Sequence, residues 1–351
     1  MLSLEGIRWG KFIIGELFEI LPGKRLRKED MTPGDTPFIG ASDHNNGVTA
    51  FIADTNASED SNVLGVNYNG SVTECFYHPY TCLFSDDVKR FHLKGREGNK
   101  YIYLFVKTVI RKQKVKYSYG YKFNDERMRR QEIMLPVDDT GNPEWSFMED
   151  FMREKEQALI REYIDHARAR LQELSCEAPD LNGRKWEGFN LGDIFSITPS
   201  TGSIDKVSVI PGEGEHPYVT RSGLNNGVND VIPEQEGLTL NAGNCITIGI
   251  DTQTVFYQPG EFYTGNNVNI LRCSELNEHN AKFLLLMLRK TLSVFSYGRG
   301  ATIPRLKVSK LFLPVNSEGL PDWAFMEEFM QGQEQAMLKK YLAYLEERLE
   351  Q

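Results

Sequence analysis

The chain carries one sequence twice. Trp9, Gly15 and Phe18 recur 177 positions later as Trp186, Gly192 and Phe195, and the offset between the copies stays between 177 and 182 to their ends. Other matched segments are Asn45-Asn46-Gly47-Val48 with Asn225-Asn226-Gly227-Val228, Phe76-Tyr77-His78-Pro79 with Phe256-Tyr257-Gln258-Pro259, and PEWSFMEDFM from Pro143 with PDWAFMEEFM from Pro321. Such a duplication predicts two similar domains related by a pseudo-twofold axis, which suits a target with two halves.

Length and composition agree with two domains. In a chain of 351 residues, each repeat, at about 170 residues, is large enough to bury its own core. No apolar run approaches the roughly 20 residues of a membrane span, and the first residues lack the basic start and apolar core of a signal peptide. We therefore expect a cytoplasmic protein without a membrane partner. Its five cysteines are odd in number and lack metal-type spacing, which predicts free, reduced thiols.

Each repeat divides into a β-rich head and a helical tail. In the first head, short apolar or alternating runs at 37–40, 48–52, 62–68 and 73–77 are separated by Gly, Asn, Asp and Pro, and they predict strands joined by tight turns. A helix is predicted at 101–112 and again at 281–290. In the tails, apolar residues fall at steps of 3, 4 or 7 among charged ones, which indicates one long amphipathic helix per repeat.

We predict an α+β fold in which two long antiparallel helices join the repeats, packed as a short coiled coil. Two independent surface helices are the alternative. The predicted division is 1–146 for the first head, 147–175 for its helix, 176–185 for a linker, 186–323 for the second head and 324–351 for its helix. The stripes predicted to pair the helices are Met152, Leu159, Tyr163 and Leu171 with Met330, Met337, Tyr341 and Leu345.

The charge is unevenly distributed. The formal net charge is -9, but the stretch 88–130 has fourteen Lys or Arg against three acids, and the matching stretch 266–308 has seven against two. Tyrosines are interleaved with both basic stretches. Lys and Arg at phosphates supply affinity for nucleic acid, and polar side chains at groove edges supply sequence choice. This pattern favours a DNA-binding face in each head over a merely solvated one.

No catalytic motif is present in the sequence. It has no phosphate loop, no Gly-x-Gly-x-x-Gly after a strand and no Gly-x-Ser-x-Gly elbow. The acid pair Asp86-Asp87 becomes Asn266-Asn267 in the other copy, which indicates turn residues rather than a metal site. We therefore predict no catalytic residue, no metal and no cofactor in this chain.

The ordered set of motifs resembles a known family. Trp-x5-Gly-x2-Phe, Asn-Asn-Gly-Val, Phe-Tyr-x-Pro, Tyr-Gly, Leu-Pro-Val and Pro-x-Trp-x-Phe-Met-Glu occur in both repeats and cover nearly the whole chain. This order resembles the specificity subunit of type I and related restriction-modification systems, in which two target-recognition domains alternate with two helices. The chain departs from the repeat where Asn69-Gly70-Ser71-Val72 is replaced by Ile250-Asp251-Thr252-Gln253.

The resemblance implies a protein that recognises double-stranded DNA at a bipartite site and neither cuts nor methylates it. Catalysis would belong to two modification subunits that use S-adenosylmethionine to methylate adenine, and to a restriction subunit that uses ATP with Mg²⁺. The chain is short for a type I subunit, so a compact relative with fused restriction and methylation stays open. A solitary repressor, an anti-restriction decoy and a structural adaptor that binds no DNA are the other readings.

The charge pattern and the resemblance together give candidate DNA contacts in both heads. In the first head they are Ser42, Asn45, Asn46, Ser71, Lys89, Arg90, Lys112, Lys114, Lys116, Tyr119, Lys122, Arg127 and Arg129. In the second head they are Arg221, Asn225, Asn226, Thr252, Gln253, Tyr297, Arg299, Arg305 and Lys307.

Overall fold

A computed structural model describes residues 2–117, 121–174, 177–296 and 298–350. The chain divides into two compact units, Met1–Tyr163 and Ile164–Gln351. Each unit contains one head, and each is described by itself. In the part of the chain that the structure describes, no helix is both long enough and apolar enough to cross a membrane.

The first unit contains nine strands and four helices among its described residues. They are β1 (Trp9–Ile13), α1 (Ile14–Leu17), β2 (Phe18–Pro22), β3 (Pro33–Ile39), β4 (Val48–Ile52), β5 (Val63–Asn67), β6 (Cys75–His78), β7 (Leu83–Phe84), β8 (Val88–Leu93), α2 (Lys100–Arg111), α3 (Asp125–Arg130), β9 (Glu132–Pro136) and α4 (Trp145–Glu173), of which α4 continues into the second unit. The strands form sheets in the orders β2-β8-β5-β6, β4-β3-β7 and β1-β9.

The second unit repeats this order of elements. They are β10 (Trp186–Asn190), α5 (Leu191–Ile194), β11 (Ser196–Pro199), β12 (His216–Val219), β13 (Val228–Ile232), β14 (Cys245–Gly249), β15 (Val255–Gln258), β16 (Tyr263–Thr264), β17 (Val268–Arg272), α6 (Glu278–Leu292), α7 (Ile303–Lys307), β18 (Lys310–Pro314) and α8 (Trp323–Glu350). Its sheets have the matching orders β11-β17-β14-β15, β13-β12-β16 and β10-β18. The predicted α+β tandem fold is confirmed.

Each head has a core between its four-stranded sheet and its middle helix. In the first head, Leu64 and Phe91 of the sheet pack with Ile102 and Val106 of α2, and Met148 of α4 closes the same cluster. The second head repeats this core with Ile246, Leu271, Leu284, Leu288 and Met326. Every residue of β5 and of β14 is buried, as expected for a central strand covered on both faces.

The middle helices α2 and α6 have the same cap. Asn99 and Asn277 each accept hydrogen bonds from two main-chain N–H groups of the first turn, at 3.0 to 3.1 Å. Each asparagine also donates its side-chain amide to a glutamate of the long helix, Glu149 at 2.8 Å and Glu327 at 2.9 Å. Because the cap satisfies otherwise unpaired N–H groups and holds the long helix, each tail is fixed to its own head.

Within the second unit, the end of α4 runs antiparallel to α8. Arg168 pairs with Glu346 at 2.6 Å, Arg170 pairs with Glu334 at 2.7 Å, and Gln335 donates to the carbonyl of Leu174 at 2.9 Å. The partner of Arg168 lies later in α8 than the partners of Arg170 and Leu174, as in an antiparallel pair. The side chains buried at this end are Ile164 and Ala167 of α4, Leu174 directly after it, and Leu342 and Leu345 of α8.

The predicted pairing stripe is only partly buried, and its pairing stays a prediction. Leu345 is buried and Leu171 half-buried, but Leu159, Tyr163, Met337 and Tyr341 are exposed, and Met152 and Met330 pack against the cores of their own heads. A strict seven-residue step drifts by about 20° per heptad around a helix. The predicted stripe begins at Met152 and Met330, which face their own heads. Continued at steps of seven residues, it therefore drifts away from the helix face that meets the other helix.

Candidate nucleic-acid interface

The Asn-Asn-Gly loops have the same backbone in both heads. Asn45 and Asn46 have φ of 50° and 53°, and Asn225 and Asn226 have φ of 50° and 56°, in the left-handed region that asparagine tolerates better than most residues. In each loop the glycine carbonyl accepts from a main-chain N–H at 2.8 Å, from Gly40 in one head and from Thr220 in the other. The repeated asparagines thus have a conformational reason to be there.

Two further loops lie beside the first Asn-Asn-Gly loop. The loop 68–74 after β5 donates from Ser71 N–H to the carbonyl of Ala41 at 3.2 Å, and Asn67 donates to the carbonyl of Ser42 at 3.0 Å. The turn before β8 joins them, because Tyr68 N–H donates to the carbonyl of Asp87 at 3.1 Å. We call the loops 41–47, 68–74 and 85–87 the loop edge of the first head.

The second head has the same loop edge, formed by 221–227, 250–254 and 265–267. Ile250 N–H donates to the carbonyl of Asn267 at 3.0 Å, as Tyr68 does in the first head. Gln253 has φ of 55° and donates its side-chain amide to the carbonyl of Ile250 at 3.1 Å, and the Thr252 hydroxyl lies 3.1 Å from that of Thr254. The structure thus brings together the predicted loop residues Ser42, Asn45, Asn46 and Ser71 in one head and Arg221, Asn225, Asn226, Thr252 and Gln253 in the other.

A side-chain pair is exchanged between the two loop edges. In the first head, Asn69 donates to the carboxylate of Asp87 at 3.0 Å. In the second head, the corresponding residues are Asp251 and Asn267, and the amide of Asn267 donates to the carboxylate of Asp251 at 3.2 Å. The same hydrogen bond therefore exists in both heads with its donor and acceptor on opposite loops.

One predicted contact is contradicted by burial. Arg90 is only 7% exposed. It donates to Asp60 at 2.9 Å and to the carbonyl of Pro22 at 2.9 Å. Burial raises the pKa of Asp60, but hydrogen bonding from His92 and the nearby positive charges outweigh it and leave that pKa below its usual value. Arg90 is thus part of a buried ion pair and is not free to reach a phosphate.

Several other predicted cations already have partners in the first head. Lys114 pairs with the buried carboxylate of Glu74 at 3.1 Å, and Lys116 donates to Gln113 at 2.7 Å. Arg129 pairs with Asp125 at 2.8 Å and also donates to the carbonyl of Ile20. Such pairs leave less net positive charge for a polyanion than a count of Lys and Arg implies.

Part of the first basic stretch, including Lys116, Arg127 and Arg130, lines a cavity of about 450 Å³. Tyr117 and Tyr121 stack with their ring centroids 5.9 Å apart, and the guanidinium of Arg127 lies 3.6 Å from the centroid of Tyr121. Arg127 also donates to the carbonyl of Lys122 at 2.7 Å. Lys112 is exposed at the end of α2, and Lys89 lies 5.2 Å from the ring of Tyr68 at the loop edge. Tyr119 falls outside the described residues.

The selection of site residues from the sequence omitted Arg130 and Tyr121, both of which line this cavity. Tyr121 was visible among the tyrosines interleaved with the basic stretch. Arg130 was counted in that stretch, but nothing in the sequence showed that it shares a cavity with Lys116.

At the equivalent place the second head lacks two of these cations. Lys116 and Arg130 are replaced by Val294 and Val308. Val294 and Phe312 line a groove of about 370 Å³ together with the exposed Lys290 and Lys310. Elsewhere in this head, Arg305 donates to the carbonyl of Gly300 at 3.0 Å, and Lys307 lies on α7 beside Gly192. Arg299 is exposed at 6.0 Å from the ring of Phe295, and Tyr297 lies outside the described residues. The excess of basic residues recurs along the sequence, but the positions of Lys116 and Arg130 are apolar in the second head.

The cysteines in the described residues are free thiols. Burial raises the pKa of Cys75 and of Cys82 to about 12, so both are protonated and unreactive at neutral pH. Cys245 and Cys273 are also free, with a pKa raised by burial to about 11. The prediction for Cys176 concerns a residue outside the described part of the chain.

Two residue ranges, 7–162 and 183–343, match the model of the type I restriction modification DNA specificity domain. The chain belongs to this family. Each match falls on one repeat, so the duplicated sequence corresponds to two specificity domains in tandem. The resemblance drawn from the motifs is confirmed, and the chain has the organisation of a specificity subunit of restriction-modification systems.

Two known proteins illustrate the relationship. The specificity subunit S.BcgI of a type II restriction enzyme from Heyndrickxia coagulans is 56% identical over 158 residues, which is 45% of this chain and 46% of that protein. The match therefore spans about half the length of this curated relative. The solved S subunit of a type I restriction-modification system from M. genitalium has the same fold with a TM-score of 0.50 and 15% identity, over 99% of this chain and 94% of that one.

Proposed function

We propose that the chain is the DNA sequence-specificity subunit of a restriction-modification complex, with each head reading one half of a bipartite site. The observation that carries this proposal is the pair of loop edges, in which the Asn-Asn-Gly loops have matched backbones and the neighbouring loops carry different side chains. Loops of fixed conformation can present side chains to base edges in a groove. Because those side chains differ between the heads, the two half-sites differ in sequence.

The catalytic steps belong to partner subunits in this proposal. Two modification subunits bind S-adenosylmethionine and methylate adenine, and cleavage that uses ATP and Mg²⁺ resides in a restriction subunit or in a fused partner. The identity with a specificity subunit of a type II restriction enzyme favours a compact system with a fused partner. The complex acts in the cytoplasm, where it meets DNA.

The experiment is to reconstitute the chain with its cognate modification subunit and to map methylated adenines on DNA of known sequence. We expect one asymmetric bipartite motif with the complex and no methyl transfer by the chain alone. Methylation or cleavage by the isolated chain would contradict the proposal. Binding of DNA by the chain in the absence of any partner able to methylate would instead support a repressor or decoy.

We further propose that the long helices set the spacer between the half-sites. The antiparallel contacts of α4 with α8 and the caps that fix each tail to its head support this role. Deleting two turns from both helices should shorten the tolerated spacer and leave both half-site sequences unchanged. A spacer of unchanged length in the methylation map would exclude the helices as its determinant.

A further inference from the structure

Arg221 opens the Asn-Asn-Gly loop of the second head, at the place that Ala41 holds in the first. The two loops are otherwise built alike: the hydroxyls of Ser222 and Ser42 accept from the main-chain N–H two residues further on, at 3.2 and 3.1 Å. The backbone that carries residue 221 is therefore the same as the backbone that carries residue 41. The arginine is an addition to a common scaffold.

The guanidinium of Arg221 is held from one side. Its Nη1 forms a close ion pair with Asp251, whose carboxylate also accepts from Asn267 at 3.2 Å. The Arg221 side chain is still 39% exposed. An ion pair with this exposure contributes only about 0 to 1 kcal/mol to stability, so stability alone is a weak reason for the arrangement.

An arginine fixed in this way is suited to read one base. The guanidinium has five N–H donors in a rigid plane, and the two acceptors of guanine in the major groove, N7 and O6, match two of them. A carboxylate that holds the remaining edge reduces the rotamer entropy lost on binding. The first head lacks both the arginine and the acid at these positions, since it has Ala41 and Asn69.

We propose that Arg221 reads a guanine in the half-site contacted by the second head, with Asp251 and Asn267 as positioning residues. This inference rests on the proposed function. It makes Arg221 a determinant of sequence choice, whereas cations that contact phosphates affect all sequences alike.

The test compares Arg221→Ala and Arg221→Lys with the wild-type chain, each in complex with the modification subunit, by selecting bound DNA from a randomised library. Both variants should lose preference for guanine at one position of one half-site by about 5- to 150-fold, which is the fold-change that corresponds to 1–3 kcal/mol. Lysine retains the charge and the pairing with Asp251 but not the planar fork, so it separates base reading from charge.

The other half-site serves as the internal control, and its preference should not change. An unchanged motif with Arg221→Ala, or full guanine preference with Arg221→Lys, would overturn the proposal. Asp251→Asn should weaken the same preference to a lesser degree, and a change at the other half-site would contradict its positioning role. A wild-type complex with no bipartite motif at all would instead refute the proposed function.

Discussion

In the first head, the face at the end of α2 carries Lys116 and Arg130, whereas the second head has Val294 and Val308 at the same places. The loop edges differ in another way, because the backbone of the Asn-Asn-Gly loops and one side-chain hydrogen bond are retained while other side chains change. The comparison separates two parts of a specificity domain. Caps, central strands and loop conformations are kept between the copies, and the surface is free to diverge.

The largest expected difference lies in a buried ion pair. The second head has Asn241 and Ile270 where the first has Asp60 and Arg90. Arg90→Ala should destabilise the first head by about 3 kcal/mol, because it leaves the half-buried carboxylate of Asp60 without its arginine and with His92 as its remaining ion-pair partner. Hydrogen exchange of β5 and β8 should report this loss, with β14 and β17 as the unchanged control.

The matched variant copies the second head. Asp60→Asn combined with Arg90→Ile should stay within about 1 kcal/mol of the wild type, because it removes both charges together and leaves no carboxylate without its arginine. A double variant as unstable as Arg90→Ala would show that the two scaffolds are not interchangeable at this point.

His78 gives the first head a pH dependence that has no counterpart at the same position of the second head. Burial, and then the charge of Lys107, lower the pKa of His78 to about 4 from an ordinary value of 6.5, and Gln258 takes its place in the second head. The unfolded chain then binds a proton that the folded chain rejects, so stability is complete above pH 6.5 and is lost as the pH falls towards 4.

Between pH 7 and pH 5 this loss amounts to about 2 kcal/mol. His78→Gln should remove it, which calorimetric melting of the full chain at both pH values would detect as a smaller fall in Tm. The converse variant, Gln258→His, should add a second loss of the same sign. Equal pH dependence in the wild type and His78→Gln would disprove the assignment.

The helix caps should instead behave alike in both heads. Asn99→Ala and Asn277→Ala each remove the same three hydrogen bonds, two from main-chain N–H groups and one to a glutamate of the long helix, so each should cost about 1 kcal/mol or slightly more. Hydrogen exchange in the first turns of α2 and α6 measures the two losses separately. A loss confined to the first head would mean that the second head depends more on Asn280, which accepts from Asn277 N–H at 2.9 Å.

The smallest effect concerns single exposed lysines. Lys112 and Lys290 occupy equivalent positions, and neutralising either should reduce the slope of log affinity against log salt by about one unit if it contacts a phosphate. Lys114→Ala should change the slope less, because Glu74 already neutralises that charge. A larger change for Lys114 than for Lys112 in a salt titration would reverse this order.

The sequence was sufficient for the fold because duplication reveals which features are kept. Strand β4 begins and ends as predicted, at Val48 and Ile52, since apolar alternation and the turn asparagines are local signals. The site was less predictable because a count of cations cannot show their partners. Glu74 lies forty positions before Lys114, and Asp60 lies thirty before Arg90. Only the folded chain therefore shows which positive charges are already paired with a carboxylate.

The hydrogen bond between the loops of each loop edge restricts how the two copies could have diverged. It joins Asn69 to Asp87 in the first head and Asn267 to Asp251 in the second. Two single substitutions separate the arrangements, and the intermediate has either two aspartates or two asparagines. Two carboxylates at hydrogen-bond distance repel each other, whereas two amides can still donate and accept. The route through a pair of asparagines therefore keeps the loop edge folded at every step, and a copy with Asn at both positions is the expected ancestor of such a pair.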